Sequence, residues 1–210
     1  AAWSCGGGAY MLGGSMFDCV VAHNTCNGAG GGNDSGVAGA GAGVALRNGL
    51  IRNCLIANNR STHATAGQGG GVYQRDAIIE GCTIAGNTSP AGCSGGGVYK
   101  SGGAMTNTIV WHNFAGAIVN DISSSANVSY SCASELVSGV NGNLSCDPLF
   151  RNIPNADFRL APGSPCANAA TILPWMVGGK DLDGRNRIIS GGADMGCYES
   201  PASGTLFLVR

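Results

Sequence analysis

GGGVYQRDAIIEGCTIAGN (residues 69–87) is one of four versions of a single pattern, and its reading decides the fold. The others are GGGAYMLGGSMFDCVVAHN (6–24), GAGVALRNGLIRNCLIANN (41–59) and GGGVYKSGGAMTNTIVWHN (95–113), and all four align without a gap. Their third positions, Gly8, Gly43, Gly71 and Gly97, are 35, 28 and 26 residues apart. A unit recurring at this period marks a solenoid, in which each copy is one coil of a continuous stack.

Like residues fall on like. Counted from that third position, the next residues are Ala9, Val44, Val72 and Val98. Apolar residues recur at Met16, Ile51, Ile79 and Met105, and again at Val21, Ile56, Ile84 and Val110. Between them stand Cys19, Cys54, Cys82 and Thr108. Stacked coils hold equivalent residues about 4.8 Å apart, so these four ladders are expected to fill an interior. The inward parity changes between the second and third ladders, which predicts a bend at Asp18, Asn53, Gly81 and Asn107. The Gly triplets fit sharp corners. The ladder Asn24, Asn59, Asn87 and Asn113 is expected to cap another corner, its amides bonded to backbone and to each other. No stretch has a 3.6-residue apolar period, so almost no helix is expected. Arg52 and Glu80 share a position in adjacent coils and are expected to form an exposed ion pair.

The composition narrows the function classes. The 210 residues carry a net charge of −1 with 11% charged residues, and no basic patch suggests nucleic acid. No apolar run is long enough for a membrane span. Ten Cys lean toward an exported protein. The chain begins without Met, which a removed leader or a fragment would each explain.

Beyond the coils come CDPLFRN (146–152), DFRLAPGSPCANAA (157–170) and DLDGRNRIISGGADMGCYE (181–199). In that order, and with the GGGVY and CTIxxN coils, the chain resembles right-handed parallel β-helix repeat proteins exported by bacteria such as planctomycetes and verrucomicrobia. The resemblance implies an all-β, right-handed parallel β-helix of about five coils in an extracellular or cell-surface location. It also implies a C-terminal segment that ends the solenoid. The organisation expected is coils over 1–146, an end segment over 147–200 and an apolar terminal strand over 201–210. Two departures stand out: such proteins are generally longer, and this chain has Cys166 and Cys197 where apolar or small residues are usual. Cys132–Cys146 and Cys166–Cys197 are the candidate bridges. Cys19, Cys54 and Cys82, in register about 4.8 Å apart, are expected to stay buried thiols.

Parallel β-helices host polysaccharide lyases and hydrolases, which need clustered carboxylates. Here Asp18, Asp76 and Glu80 occupy three different coil positions, while His23 and His112 share one position in distant coils. The expectation is therefore a chain without catalytic residues. Asp181, Asp183 and Asp194 form the richest polar cluster. Their spacing resembles part of a calcium loop, calcium being the one cofactor it admits, but a turn with carboxylates on backbone amides is favoured. Sequons at Asn33, Asn127 and Asn143 fall in expected loops and are glycan candidates, as is Asn59 unless its ladder points inward; Asn87 is disfavoured by Pro90.

The stack has two ends, and each exposes unpaired backbone. The first coil starts near residue 1, and the last residues, TLFLVR, are apolar and β-favouring. Trp3, Cys5, Leu206, Phe207, Leu208 and Val209 are the candidate assembly residues. The expected function is an extracellular structural protein that pairs head to tail with copies of itself. A carbohydrate-active enzyme, a monomeric adhesin and a fragment of a longer surface protein are the alternatives.

Overall fold

A computed structural model describes residues 6–27, 40–64 and 67–201. Each of the four repeats supplies four short strands. In the third repeat they are Val72–Gln74, Ile78–Glu80, Thr83–Ala85 and Thr88–Ser89. Equivalent strands of successive repeats pair in parallel, giving four sheets that run the length of the stack. The register is that of the gap-free alignment. Ala9, Val44, Val72 and Val98 are successive partners, as are Met16, Ile51, Ile79 and Met105. The described residues contain three short 3-10 turns and no α-helix.

The corners follow from local chemistry. The expected bend is real: Asp18, Asn53, Gly81 and Asn107 all take positive φ, between 52° and 57°. A second left-handed corner falls at His23, Asn58, Gly86 and His112. Asn, Asp, His and Gly tolerate this region best, so the two His are corner residues by conformation. At Gly71 an added Cβ would meet the Gly97 carbonyl at 2.8 Å and Asn87 Nδ2 at 2.9 Å, which leaves room only for hydrogen.

The interior is one apolar cluster built from the expected ladders, and Val72, Ile79, Cys82 and Ile84 are fully buried. A fifth inward ladder is Met11, Leu46, Gln74 and Lys100, of which the last three are buried. Gln74 Nε2 donates to the carbonyls of Ala77 and Ala104, and Lys100 Nζ to that of Gly103 at 2.9 Å. Burial pushes the Lys100 amine below its ordinary range. Lys100→Met should therefore stabilise the fold by about 1 kcal/mol, because the position already takes Met or Leu in other repeats and a buried ammonium is costly. Urea unfolding of the two proteins at neutral pH measures the difference, and a variant weaker than wild type would refute it.

Residues 147–200 do not end the stack. They lie along the outer face of the third sheet, across the repeats. Leu55, Ala57 and Ala85 pack with Phe158, Cys197 and Tyr198, and Ile109 and Cys132 pack with Leu160, Cys166 and Met195. Polar clips fix the line of contact: Asn53 Nδ2 to the Lys180 carbonyl, Asn107 with Thr171 in both directions, and Cys197 N–H to Thr83 Oγ1. The reason is the outward residues of that sheet. Leu55, Ala57, Ala85 and Ile109 are too apolar for water, and this segment covers them. In the first repeat the flanking segment does not reach this face, and Val20 is 60% exposed against 8% for Leu55.

Candidate functional site

Two side-chain ladders run up the stack and stop at the same end. Asn24 Nδ2 donates to Asn59 Oδ1 at 3.0 Å, Asn59 to Asn87 at 2.9 Å, and Asn87 to Asn113 at 3.0 Å. Each Oδ1 also accepts the backbone N–H of the preceding Asn, at 2.9 Å. The last rung is Asp121, whose Oδ1 accepts both donors of Asn113. A carboxylate has no hydrogen to pass on, so the ladder terminates there, and Asp121 Oδ2 accepts from Ser134 Oγ at 2.7 Å. Burial raises the Asp121 pKa.

The second ladder is Cys19, Cys54, Cys82, Thr108 and Ser131. Each S–H or O–H donates to the carbonyl two residues back. Cys54 Sγ, Thr108 Oγ1 and Ser131 Oγ each accept the N–H of the preceding rung. These cysteines are thiols, as expected, but they serve as small donor–acceptors as well as filler.

The end reached by both ladders is closed. Glu135 accepts the N–H groups of Asp121 and Ile122 at 2.8 and 3.2 Å, Asn143 Oδ1 that of Ser131 at 3.0 Å, and the Leu144 carbonyl that of Ala133 at 3.1 Å. Leu136 and Ala133 complete the core beneath. The exposed surface at this end includes Ile118, Val137 and Val140, which are 73%, 65% and 53% exposed, beside exposed Ser134, Glu135, Ser138 and Asn141. At the opposite end, Ala9, Met11, Met16, Cys19 and Val21 point inward yet are only partly buried. Asn24 Oδ1 there accepts no hydrogen bond from a described residue. Exposed large apolar side chains thus occur at both ends, as they do along the flanking segment at Leu149, Ile172 and Val177.

The acidic cluster lies in the flanking segment and is built for folding. Asp181 accepts the N–H groups of Asp183, Arg185 and Glu199. Asp194 accepts those of Asn168 and Ser200, and Ser200 Oγ. Asp183 is forked by Arg159 and touched by Arg185, and the Arg159 bonds lower its pKa. The oxygens that calcium would need are occupied by amides and guanidinium groups. Among the described residues, no three His, Cys, Asp or Glu side chains converge as a metal site. Arg187 and Glu199 form a buried pair at 3.1 Å.

Other candidates are placed as follows. Arg52 and Glu80 pair at 2.9 Å, but half-buried rather than exposed, with Arg52 stacked between Phe17 and Trp175. Asp18 bonds Asn53 and Asp76 pairs with Arg75, so the repeat acids stay apart. Asn143 is buried with both amide atoms bonded, and Asn59 and Asn87 are buried in their ladder, so none of the three can carry a glycan. Asn127 is exposed in a left-handed corner. All nine described cysteines are thiols, and neither expected bridge is made. Cys166 and Cys197 sit in separate apolar clusters, and Cys132 Sγ donates to the backbone carbonyl of Cys146. Asn33, Trp3, Cys5, Leu206, Phe207, Leu208 and Val209 lie outside the described residues. No helix among the described residues is long and apolar enough to cross a membrane. No family model, curated protein or solved structure matches the chain.

Proposed function

We propose that this chain is an extracellular, structural, right-handed parallel β-helix whose ends are its working surfaces and stack head to tail on copies of itself. The carrying observation is that apolar side chains are left exposed at both ends: the half-buried Met11, Met16 and Val21 at one, and Ile118, Val137 and Val140 at the other. Two different surfaces meeting in this way make a heterologous contact, which propagates as a fibre unless it closes into a ring. Exposed apolar patches of this kind mark interaction surfaces. The engaged state of every flank carboxylate favours this reading over a hydrolase or lyase, which needs free acids.

Val137→Asp with Val140→Asp places two charges on the cover without touching the core. Negative-stain microscopy and sedimentation should show filaments for the parent chain and single particles for the double variant. Filaments that persist in the variant, or a parent chain that stays monomeric at high concentration, would overturn the proposal. Deleting residues 205–210 tests separately whether the terminal strand takes part.

A further inference from the structure

We propose that Cys132 and Cys166 form a disulfide that fastens the flanking segment to the last layer of the stack when the chain folds in the presence of a low-molecular-weight disulfide. Cys132 sits on the outer face of the third sheet, bridged to Ile109 on one side and Leu144 on the other. Cys166 comes from the flanking segment, which crosses that face. Both are fully buried and belong to one apolar cluster with Ile109, Leu160 and Met195. The neighbouring Cys166 thiol, together with burial, holds the Cys132 thiol above its ordinary range.

The chemistry separates this pair from the other cysteines. Cys54 and Cys82 are rungs of one ladder, and sheet spacing keeps their Cβ atoms about 4.8 Å apart, beyond a bridge's usual reach. Cys132 and Cys166 belong to different elements and escape that spacing. Cys146 is exposed, and what it turns toward Cys132 is its carbonyl.

The step balances as a double exchange. One protein thiolate attacks the small disulfide and releases one small thiol. The second protein thiolate then displaces the other, closing the Cys132–Cys166 bond. The two cysteines lose two protons and one electron pair, and the small disulfide is reduced to two thiols. Because a buried thiol is raised in pKa and shielded, the first exchange takes place before the flank docks, and docking then brings the second thiol to the mixed disulfide. Once closed, the bond is protected by the same burial.

The full chain is refolded with oxidised glutathione, its free thiols are alkylated in denaturant, and it is digested with trypsin without reduction. Cys132 and Cys146 share the peptide 101–151, Cys166 lies alone in 160–180, and Cys197 in 188–210. The expected product joins 101–151 to 160–180 and separates on adding dithiothreitol. It persists in Cys146→Ser, where Cys132 is the sole cysteine of its peptide. Dithiothreitol should leave it intact in the folded chain and open it in urea. Quantitative alkylation of Cys132 and Cys166, a bridge within 101–151, a link from 160–180 to 188–210, or loss of the product in Cys146→Ser would each overturn the proposal.

Discussion

Arg187→Met should destabilise the fold by about 3–5 kcal/mol, because it strips the counter-charge from a buried carboxylate group. Arg187 is fully buried, and its Nη2 donates to the Asp194 carbonyl at 3.0 Å while Nη1 lies 3.1 Å from Glu199. Its guanidinium also stacks on Trp175, which plugs the flank against Gly81 of the third repeat. Methionine can fill the space but cannot balance Glu199, Asp194 and Asp181, whose carboxylates lie close together. A stability of about 5–15 kcal/mol is typical of single domains, so this loss would leave the flank barely held. Guanidinium unfolding of both proteins measures it, and a loss under about 1 kcal/mol would show that the cluster tolerates its own charge.

The same cluster sets a pH dependence with a definite sign. Burial pushes the Glu199 carboxyl up to about 8, with Arg187 pulling it down and Asp194 and Asp181 adding to the rise. Its folded pKa is above its unfolded value, so the stability it contributes is complete below about 4.5 and is lost as pH rises through about 8. Wild type should therefore weaken across that window, and Glu199→Gln, which mimics the protonated acid, should flatten the fall. The Arg187→Met loss should be largest above about pH 8, where Glu199 is ionised, and smaller below it, where Glu199 is neutral.

The parts of the fold legible in the sequence are those that repeat. Strand register, the corner at Asp18, Asn53, Gly81 and Asn107, and the mutually bonded Asn ladder each come from four aligned copies of one local problem. The Met11, Leu46, Gln74 and Lys100 ladder was hidden because two of its rungs are polar, and only the structure shows their carbonyl partners. The placing of 147–200 was hidden for a different reason. Outward Leu55, Ala57, Ala85 and Ile109 signal that something covers the third sheet, but an apolar strand face does not say which segment. The closing residues Asp121, Glu135 and Asn143 occur once each, so no periodicity marks them. Asn143 even reads as a glycan acceptor until its amide is seen to accept the Ser131 N–H. The cysteine partners depend on how two irregular segments cross, which spacing along the chain does not encode.

Asn87→Ala should cost about 3–5 kcal/mol, and Asn24→Ala, at the first rung, under about 1.5 kcal/mol. Asn87 is fully buried, and its Oδ1 accepts both the N–H and the Nδ2 of Asn59 while its own Nδ2 donates to Ile56, Ala85 and Asn113. Alanine leaves the Asn59 N–H and the Ile56 carbonyl in a dry interior with no water to replace the lost bonds, and it opens a void beside Gly71. Each buried orphan costs about 1–3 kcal/mol. Asn24 is only half-buried, and its loss frees one side of a single rung that water can reach. The ratio between the two losses tests whether the amides work as a connected column. Equal losses would mean that each Asn merely holds its own corner, whereas a loss several times larger at Asn87 means that the rungs bind successive repeats together. Hydrogen exchange gives the second reading: removing the middle rung should expose the Asn59 amide, one repeat earlier, as well as the site of substitution. Protection that changes only within the third repeat would count against a column running the length of the stack.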